Sequence, residues 1–236
     1  MPPPAPPPWR VQAVLFDLDG TLLDTAPDMA YALNLLRAEQ GRAPLPYEDI
    51  RPRVSDGSAG LIRLAFGLEP QAAEFEPLRR RFLDLYQAHL VRATRLFPGM
   101  EAVLRRLEET RIAWGVVTNK PAWLTDPLMR ALGLWERAAC VVSGDTTANR
   151  KPHPEPLEHA CRLAATRPAD CLYVGDARRD IEAGHRAAMH TLIAMFGYVG
   201  ADTAPESWGA DGMVRQPQEL LQWIAWDRAD AGARPA

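Results

Sequence analysis

The sequence predicts an α/β protein with a doubly wound parallel sheet and a small helical domain inserted after the first strand. Three observations predict this fold class. Short apolar runs alternate with helical stretches through the second part of the chain, which is typical of parallel strands joined by helices. A long stretch nearer the N-terminus is helical throughout. Polar residues follow directly after four of the apolar runs, as expected where a sheet edge carries a ligand site.

Length and composition set the class of protein. The chain has 236 residues, of which 47% are apolar and 24% are charged, and this composition is ordinary for a soluble globular protein. The net charge of −3 provides no basic stripe for nucleic acid, and no apolar run is long enough to span a membrane. We therefore expect neither a nucleic-acid partner nor a membrane partner. We expect the chain to be a monomer or a homodimer. An anionic ligand must be bound by local groups.

Both ends of the chain are expected to be disordered tails. Residues 1–9 begin with MPPPAPPP, which favours an extended segment, and residues 227–236 have the character of a frayed end. The start has no basic segment followed by an apolar run, so it does not predict a signal peptide. Cys140, Cys161 and Cys171 lack metal-ligand spacing and fit reduced thiols. We therefore expect a cytoplasmic protein.

The first predicted strand, Val11–Phe16, runs directly into two aspartates. Asp17 and Asp19 follow it in the segment VLFDLDGTLLDT. Two carboxylates this close repel each other, and burying an unpaired charge is costly. Either a cation lies between them, or one of them takes part in a reaction.

The next stretch, from Pro27 to Ala93, predicts helices and no strand. The segment DMAYALNLLRAEQG has apolar residues at helical spacing and ends at Gly41, a residue that commonly stops helices. DGSAGLIRLAFG and FEPLRRRFLDLYQAHLVRA continue the helical pattern, the latter with an arginine-rich solvated face. Residues 26–94 are therefore assigned to a helical cap inserted into the sheet domain.

From Phe97 onward the pattern alternates between strands and helices. The predicted strands are AWGVVTN, ACVVSGD, CLYVGD and HTLIAMF, and helices separate them. A last short strand at Gly212–Val214 precedes the expected helix PQELLQWIAW. Strands that alternate with helices predict a parallel sheet covered on both faces. The Rossmann-like core is thus assigned to residues 10–25 and 95–226.

Polar residues collect after the predicted strands. Each has an ordinary structural explanation, because Asp, Thr and Asn cap helices and a loop lysine is commonly solvated. In open parallel sheets, however, the carboxyl ends of the strands meet at one edge, where ligands bind. Their joint presence after successive strands predicts a site. The residues are Asp17 and Asp19, Thr118 and Asn119, Ser143 to Asp145 with Lys151, and Gly175 and Asp176 with Asp180.

The residue types in this set suit one kind of reaction. Carboxylates without a cluster of His or Cys favour a hard cation such as Mg²⁺. An aspartate at a strand end can attack phosphorus, and a second one two residues on can protonate the leaving oxygen and then activate water. A threonine hydroxyl, backbone N–H groups and a lysine can hold the phosphoryl oxygens. The set predicts Mg²⁺-dependent hydrolysis of a small phosphorylated substrate.

Four motifs in order resemble those of the haloacid dehalogenase superfamily of phosphatases: DLDGTL, VVTN, KPHPEP and GDARRD. The resemblance covers nearly the whole chain between the tails. It implies an aspartyl-phosphate mechanism, with Mg²⁺ held by carboxylates and one main-chain carbonyl. The resemblance implies that Asp17 is the nucleophile and a metal ligand, and that Asp19 is the general acid/base and binds the metal through its main-chain carbonyl. Asp176 would also bind the metal, and Asp180 would act from outside the metal's own ligands or through a water. The residues implied at the phosphate are Gly20, Thr118, Asn119 and Lys151.

The helical segment resembles the small cap of phosphoglycolate phosphatases, and DTAPD and GDTTANRKPHPEPL are typical of that group. Phosphatases acting on N-acetylmuramic acid 6-phosphate are close relatives, and their caps carry a turn comparable to VSDGSAGLI. This turn implies that Arg53 and Ser55 bind the leaving group, although it equally fits a helix N-terminus capped by Ser55 or Asp56. The expected substrate is 2-phosphoglycolate first and N-acetylmuramic acid 6-phosphate second.

Three other functions use similar residues. A receiver-like signalling module also has an acidic pocket, a strand-end aspartate, a threonine and a lysine, but it needs neither the second aspartate nor a helical insertion. A catalytically inactive binding protein on this fold has no need of the complete acidic set. A sugar-phosphate phosphomutase also carries a residue such as Asp19, so it remains the nearest enzymatic alternative, and it would release no net phosphate.

Overall fold

A parallel sheet of six strands forms the centre of the molecule. The computed structural model describes residues 8–200 and 203–226. The predicted tail at 227–236, and residues 1–7 of the predicted N-terminal tail, lie outside the described residues. The six strands of this sheet are β1 (Ala13–Phe16), β4 (Ala113–Val117), β5 (Cys140–Val142), β6 (Cys171–Gly175), β7 (His190–Ala194) and β8 (Gly212–Val214). Two further strands, β2 (Leu23–Asp24) and β3 (Arg95–Leu96), form a separate pair.

The strand order places the reversal of the chain beside β1. The sheet runs β5-β4-β1-β6-β7-β8, and every pairing in it is parallel. From β1 the chain moves outward through β4 and β5, and it then returns to build the other side. The carboxyl ends of β1, β4 and β6 are therefore neighbours at a topological switch point, where open α/β sheets bind ligands.

Helices cover both faces of this sheet, as the sequence predicts. Alternate residues of β1 enter two separate apolar cores, since Val14 and Phe16 pack in one and Ala13 and Leu15 in the other. A strand buried on both faces accounts for its continuous apolar run. The helices are α1 (Ala26–Glu39), α2 (Tyr47–Ile50), α3 (Gly57–Phe66), α4 (Phe75–Gln87), α5 (Met100–Glu109), α6 (Ala122–Ala131), α7 (Glu155–Leu163) and α8 (Arg178–Arg186).

The first four helices lie between two very short strands, β2 and β3. These strands pair antiparallel, with Leu23 opposite Leu96 and Asp24 opposite Arg95. They stand just outside the predicted insertion at 26–94, and we call residues 26–94 the helical insertion. The sequence did not predict the two strands, because two residues are too few to show the alternation that identifies a strand.

Side chains fix both points where the chain enters and leaves the helical insertion. The Tyr198 hydroxyl accepts hydrogen bonds from the backbone N–H groups of Thr25 and Ala26 and donates to Asp24. At the exit, the buried Asp28 carboxylate accepts from the backbone N–H groups of Ala93 and Thr94 and from the Thr94 hydroxyl. These bonds satisfy backbone N–H groups at the start of α1 and just before β3.

Two segments differ from their prediction. Trp9, which the sequence assigned to the N-terminal tail, forms a parallel bridge with Ile224 and stacks on His190 and Trp223. The segment PQELLQWIAW, expected as a helix, forms a 3₁₀ helix at Pro217–Trp223. The bridge to Trp9 draws the residues after Trp223 into an extended conformation and so competes with a longer helix.

The described cysteines are free and buried, as expected for reduced thiols. Among the helices of the described chain, we find none with the length and apolar character that crossing a membrane would require.

Candidate active site

Asp17 lies at the end of β1 beside Lys151, whose ammonium group is bonded to protein oxygens. The Lys151 ammonium is 2.8 Å from Asp17 Oδ1, 2.8 Å from Asp180 Oδ1 and 2.8 Å from the Val117 carbonyl. It also donates to the Tyr173 hydroxyl at 2.7 Å. Both Asp17 and Lys151 are almost completely buried, so their charges compensate each other in a low-dielectric setting.

Asn119 holds the loop that carries this lysine. Its side-chain amide donates to the Lys151 carbonyl at 2.9 Å, and its side-chain oxygen accepts from the Lys151 backbone N–H at 3.0 Å. Both the nitrogen and the oxygen of the Asn119 side chain are therefore hydrogen-bonded to the Lys151 backbone. Thr118 and Asn119, the two residues predicted after β4 to bind phosphate, both line the cavity, and their binding of phosphate stays a prediction.

Three carboxylates meet at this edge of the sheet. Asp17, Asp176 and Asp180, which we call the acidic cluster, each place one oxygen within 4.8 Å of the others. Burial, and then the charges of Asp17 and Asp180, raise the pKa of Asp176 to about 7. Burial also raises the pKa of Asp17, with Lys151 opposing that change. Without further positive charge nearby, ionisation of all three carboxylates of the acidic cluster is therefore unfavourable.

The acidic cluster has the features of a site for a hard cation. Asp176 Oδ1 is buried and has no hydrogen-bond partner among the described residues. The donors are all carboxylate oxygens, which suit Mg²⁺. Gly20 allows the turn after β1 to approach closely, because a Cβ there would lie 2.1 Å from Asp176 Oδ2 and its φ is +86°. Asp180, expected to act from outside the metal's own ligands or through a water, also places an oxygen in the cluster, and its role stays a prediction.

Asp19 is held apart from the acidic cluster. Its Oδ1 accepts a hydrogen bond from the Thr25 hydroxyl at 2.7 Å and another from the Lys120 ammonium at 2.8 Å. Its side chain is 15% exposed, and Asp19 lines a cavity between the helical insertion and the sheet edge. The two aspartates after β1 therefore have separate cationic partners, Lys151 and Lys120. Metal binding by the Asp19 main-chain carbonyl stays a prediction.

The helical insertion reaches the acidic cluster directly. The Ser55 hydroxyl donates to Asp176 Oδ2 at 2.7 Å, and Arg179 donates to the Ser55 carbonyl at 2.6 Å. Arg51 donates to the carbonyls of Phe196 and Gly197 after β7. The Ser55 hydroxyl is thus bonded to a carboxylate of the acidic cluster, and its predicted contact with the leaving group stays a prediction.

A cavity of about 820 Å³ lies between the helical insertion and the sheet edge. The turn VSDGSAG contributes the first residues of α3, and Asp56 precedes them without a side-chain capping bond. Arg53 is exposed and is not among the described residues that line the cavity, and its binding of the leaving group stays a prediction. It lies two residues before Ser55 in the 3₁₀ turn Arg51–Asp56. The arginines that do line the cavity are Arg79, Arg80, Arg150 and Arg179.

Sequence reasoning missed four polar residues of this site. Tyr173 lies inside β6 and Tyr86 on α4, where apolar periodicity marks both only as core positions. Arg179 stands within the motif GDARRD, and Lys120 directly follows VVTN. Their positions beside motif residues were the available signal for the last two. For the tyrosines, the sequence gives no local sign that the hydroxyl meets a lysine.

Comparison with known proteins agrees with this geometry. The haloacid dehalogenase-like hydrolase family matches residues 14–194. The N-acetylmuramic acid 6-phosphate phosphatase of Pseudomonas aeruginosa is 42% identical, over 93% of this chain and 96% of that protein. The phosphoglycolate phosphatase of Xanthomonas campestris pv. campestris is 44% identical, over 91% and 97%. A crystal structure of a predicted phosphoglycolate phosphatase from Haemophilus somnus 129pt aligns with a TM-score of 0.80 at 25% identity, covering 91% and 98%.

The chain belongs to the haloacid dehalogenase-like hydrolase family. It is a phosphatase of that family, and the resemblance of its four motifs is confirmed.

Proposed function

We propose that this haloacid dehalogenase-like phosphatase hydrolyses a phosphomonoester with Mg²⁺ through an aspartyl-phosphate at Asp17. The observation that carries the proposal is the separation of the two aspartates after β1. Asp17 lies in the acidic cluster, 2.8 Å from Lys151, whereas Asp19 lies on the cavity wall, 2.8 Å from Lys120. This separation supports Asp17 as the carboxylate that attacks phosphorus and Asp19 as the one that serves the leaving group.

Each residue has a defined task in this reaction. Asp17 attacks the phosphorus, and the bond to the leaving oxygen breaks as Asp19 gives that oxygen a proton. Asp19 then takes a proton from the water that attacks the phosphorus of the aspartyl-phosphate, and the bond between phosphorus and the Asp17 oxygen breaks to release phosphate and restore the carboxylate. The Thr118 hydroxyl binds the phosphoryl oxygens, and Lys151, whose ammonium is bonded to protein oxygens, stabilises their charge electrostatically. Lys151 also fixes the Asp17 carboxylate in position.

Asp17 and Asp176 would hold the metal, with Asp180 close enough to join them or to act through a water. Mg²⁺ supplies positive charge that offsets repulsion between the carboxylates and the phosphate. Asp176 Oδ1 has no hydrogen-bond partner within residues 8–200 and 203–226, which supports this assignment. The domain division predicted from the sequence belongs to the same proposal, with residues 26–94 as a cap over a core made of 10–25 and 95–226.

The cavity favours a substrate larger than phosphoglycolate. Cavities of about 300–1,000 Å³ hold drug-sized ligands, and the volume here is about 820 Å³. Several arginines and the half-exposed ring of Trp123 line it, which suits a sugar that carries a carboxylate. We therefore place N-acetylmuramic acid 6-phosphate first, supported by the Pseudomonas relatives. Phosphoglycolate, expected first from the sequence, is the second candidate, supported by the Xanthomonas relatives.

Phosphate release from both candidates, ranked by kcat/KM with Mg²⁺ present, tests the proposal. We expect turnover of N-acetylmuramic acid 6-phosphate to exceed that of phosphoglycolate, and we expect a chelator to abolish both. Calcium should support less activity, because it prefers a larger and looser ligand shell. A higher kcat/KM for phosphoglycolate would reverse the order of substrates. Full activity in metal-free buffer would contradict the proposed mechanism.

The same assay separates the alternatives. A phosphomutase would return an isomerised sugar phosphate without net release of phosphate. A receiver-like module would keep its aspartyl-phosphate instead of turning it over.

A further inference from the structure

Lys120 is a buried cation that no motif assignment explains. Its side chain is 3% exposed, and its ammonium donates to Asp19 Oδ1 at 2.8 Å and to the Tyr86 hydroxyl at 2.8 Å. The ammonium also lies 4.5 Å from the centre of the Tyr86 ring. Burying a lysine is costly unless it is paired and hydrogen-bonded, so these two partners account for its position.

The contacts of Lys120 determine which way Asp19 points. Both the Lys120 ammonium and the Thr25 hydroxyl donate to the same oxygen, Asp19 Oδ1. With Oδ1 held by two donors, Oδ2 is the oxygen left for a group in the cavity that Asp19 lines. The lysine thus fixes the carboxylate by one oxygen and leaves the other for proton transfer.

Tyr86 belongs to the helical insertion, whereas Lys120 and Asp19 follow strands of the sheet. It lies on α4 of the helical insertion, fully buried and stacked on Phe82. Burial raises the pKa of its hydroxyl well above the usual value, so the phenol stays neutral and accepts the lysine's hydrogen bond. Lys120 follows β4 of the sheet, and the Lys120–Tyr86 bond therefore exists only while α4 lies against the sheet edge.

We propose that Lys120 is a positioning residue for Asp19, and that Tyr86 completes this positioning when the helical insertion packs against the sheet. The proposal rests on the function proposed above, in which Asp19 protonates the leaving oxygen. Asp19 Oδ2 is then directed at the leaving group only in the arrangement that also encloses the substrate. Phosphoryl transfer is thereby coupled to the exclusion of water.

The role of a general acid can be measured separately from stability. Protonation matters for a poor leaving group such as a sugar alkoxide, and it matters little for p-nitrophenolate, which leaves as an anion. The ratio of kcat/KM for a sugar phosphate to that for p-nitrophenyl phosphate therefore reports on the acid. A lysine that served only the fold would change both values together and leave this ratio constant.

The test uses Tyr86→Phe and Lys120→Met in the full chain with Mg²⁺. Tyr86→Phe deletes one hydrogen bond to a charged group, so we expect kcat/KM for the sugar phosphate to fall roughly ten- to a hundredfold. For p-nitrophenyl phosphate we expect little change. Lys120→Met should produce a larger selective loss. Tyr31→Phe, on α1 of the helical insertion, is the matched control and should leave both values unchanged.

Asp19→Asn distinguishes failure of this inference from failure of the proposed function. If Asp19→Asn lowers the ratio but neither Tyr86→Phe nor Lys120→Met does, the inference is wrong and the acid role stands. If Asp19→Asn also leaves the ratio constant, the acid role itself is wrong. Thermal unfolding of each variant identifies loss of the fold. Should Lys120→Met not fold, the near-isosteric Tyr86→Phe alone decides.

Discussion

At the scale of single residues, the two aspartates after β1 differ in every contact that matters to their chemistry. Asp17 is buried among two other carboxylates and Lys151. Asp19 lies two residues further on, partly exposed, on Thr25 and Lys120. The repulsion that the sequence raised as a problem is answered by a separate cation for each carboxylate. In the proposed mechanism, environment and not residue type divides the nucleophile from the acid/base.

Substituting the two aspartates should therefore have unequal effects. Asp17→Asn should abolish turnover with the fold intact, because an amide is a poor nucleophile. Asp19→Asn should slow hydrolysis of alkyl phosphates by about 10²–10⁴-fold, the usual worth of proton transfer. Steady-state assays and thermal unfolding check both. Substantial residual turnover by freshly purified Asp17→Asn would rule out its assignment as nucleophile.

The raised pKa of Asp176 predicts how metal binding depends on pH. In the metal-free protein this pKa is about 7, above its ordinary 3.8, chiefly because of burial. A proton and Mg²⁺ compete for the same oxygens, so the apparent affinity for Mg²⁺ should rise as the pH rises through about 7. Between the two pKa values the folded state binds more protons than the unfolded state, so metal-free stability should fall over that range.

Thermal unfolding from pH 5.5 to 8.5, with and without Mg²⁺, measures both effects. The gain in Tm from Mg²⁺ should grow with pH and level off above the pKa. A gain that is constant across this range would contradict a metal site at Asp176.

At the scale of elements, the strongly patterned segments were predictable, and so was the three-residue strand β8, whereas the two-residue strands β2 and β3 were not. Buried strands such as β1 and β6 showed continuous apolar runs, and the helices that follow them showed helical periodicity. The strands β2 and β3 have two residues each and acquire their conformation from each other. The 3₁₀ form of Pro217–Trp223 likewise depends on tertiary pairing. Local pattern cannot encode a structure that contacts distant in sequence decide.

The junction between β3 and the helical insertion gives a prediction about stability. Asp28→Ala would leave two backbone N–H groups and the Thr94 hydroxyl without their acceptor. Because Asp28 and Thr94 are fully buried, we expect a loss of about 2–4 kcal/mol in the free energy of unfolding. Asp28→Asn should lose less, since its amide oxygen still accepts.

Urea denaturation measures this loss, with Asp49→Ala on α2 as an exposed control in the same insertion. If Asp28→Ala were as stable as the control, the carboxylate would not be anchoring the junction.

At the scale of the whole molecule, the parallel sheet allowed the site to be predicted before its geometry was known. Carboxyl ends of neighbouring strands meet, so Asp17, Thr118 and Asp176 had to converge. The shape of the cavity did not follow in the same way. Its arginines come from α4, from the loop before Lys151 and from α8, and Arg53 is not among them. How helices dock over a sheet edge depends on packing between segments, which motifs do not describe.

The covalent intermediate is the most direct test of the central claim that Asp17 is phosphorylated during turnover. Enzyme mixed with Mg²⁺ and excess substrate would be quenched with acid and treated with borohydride, which reduces an aspartyl-phosphate to homoserine. Peptide mass spectrometry then locates the modified position. We predict homoserine at position 17 in the wild-type protein and none without substrate. Modification at Asp19 instead, or no modification of a chain that is turning over, would contradict the account.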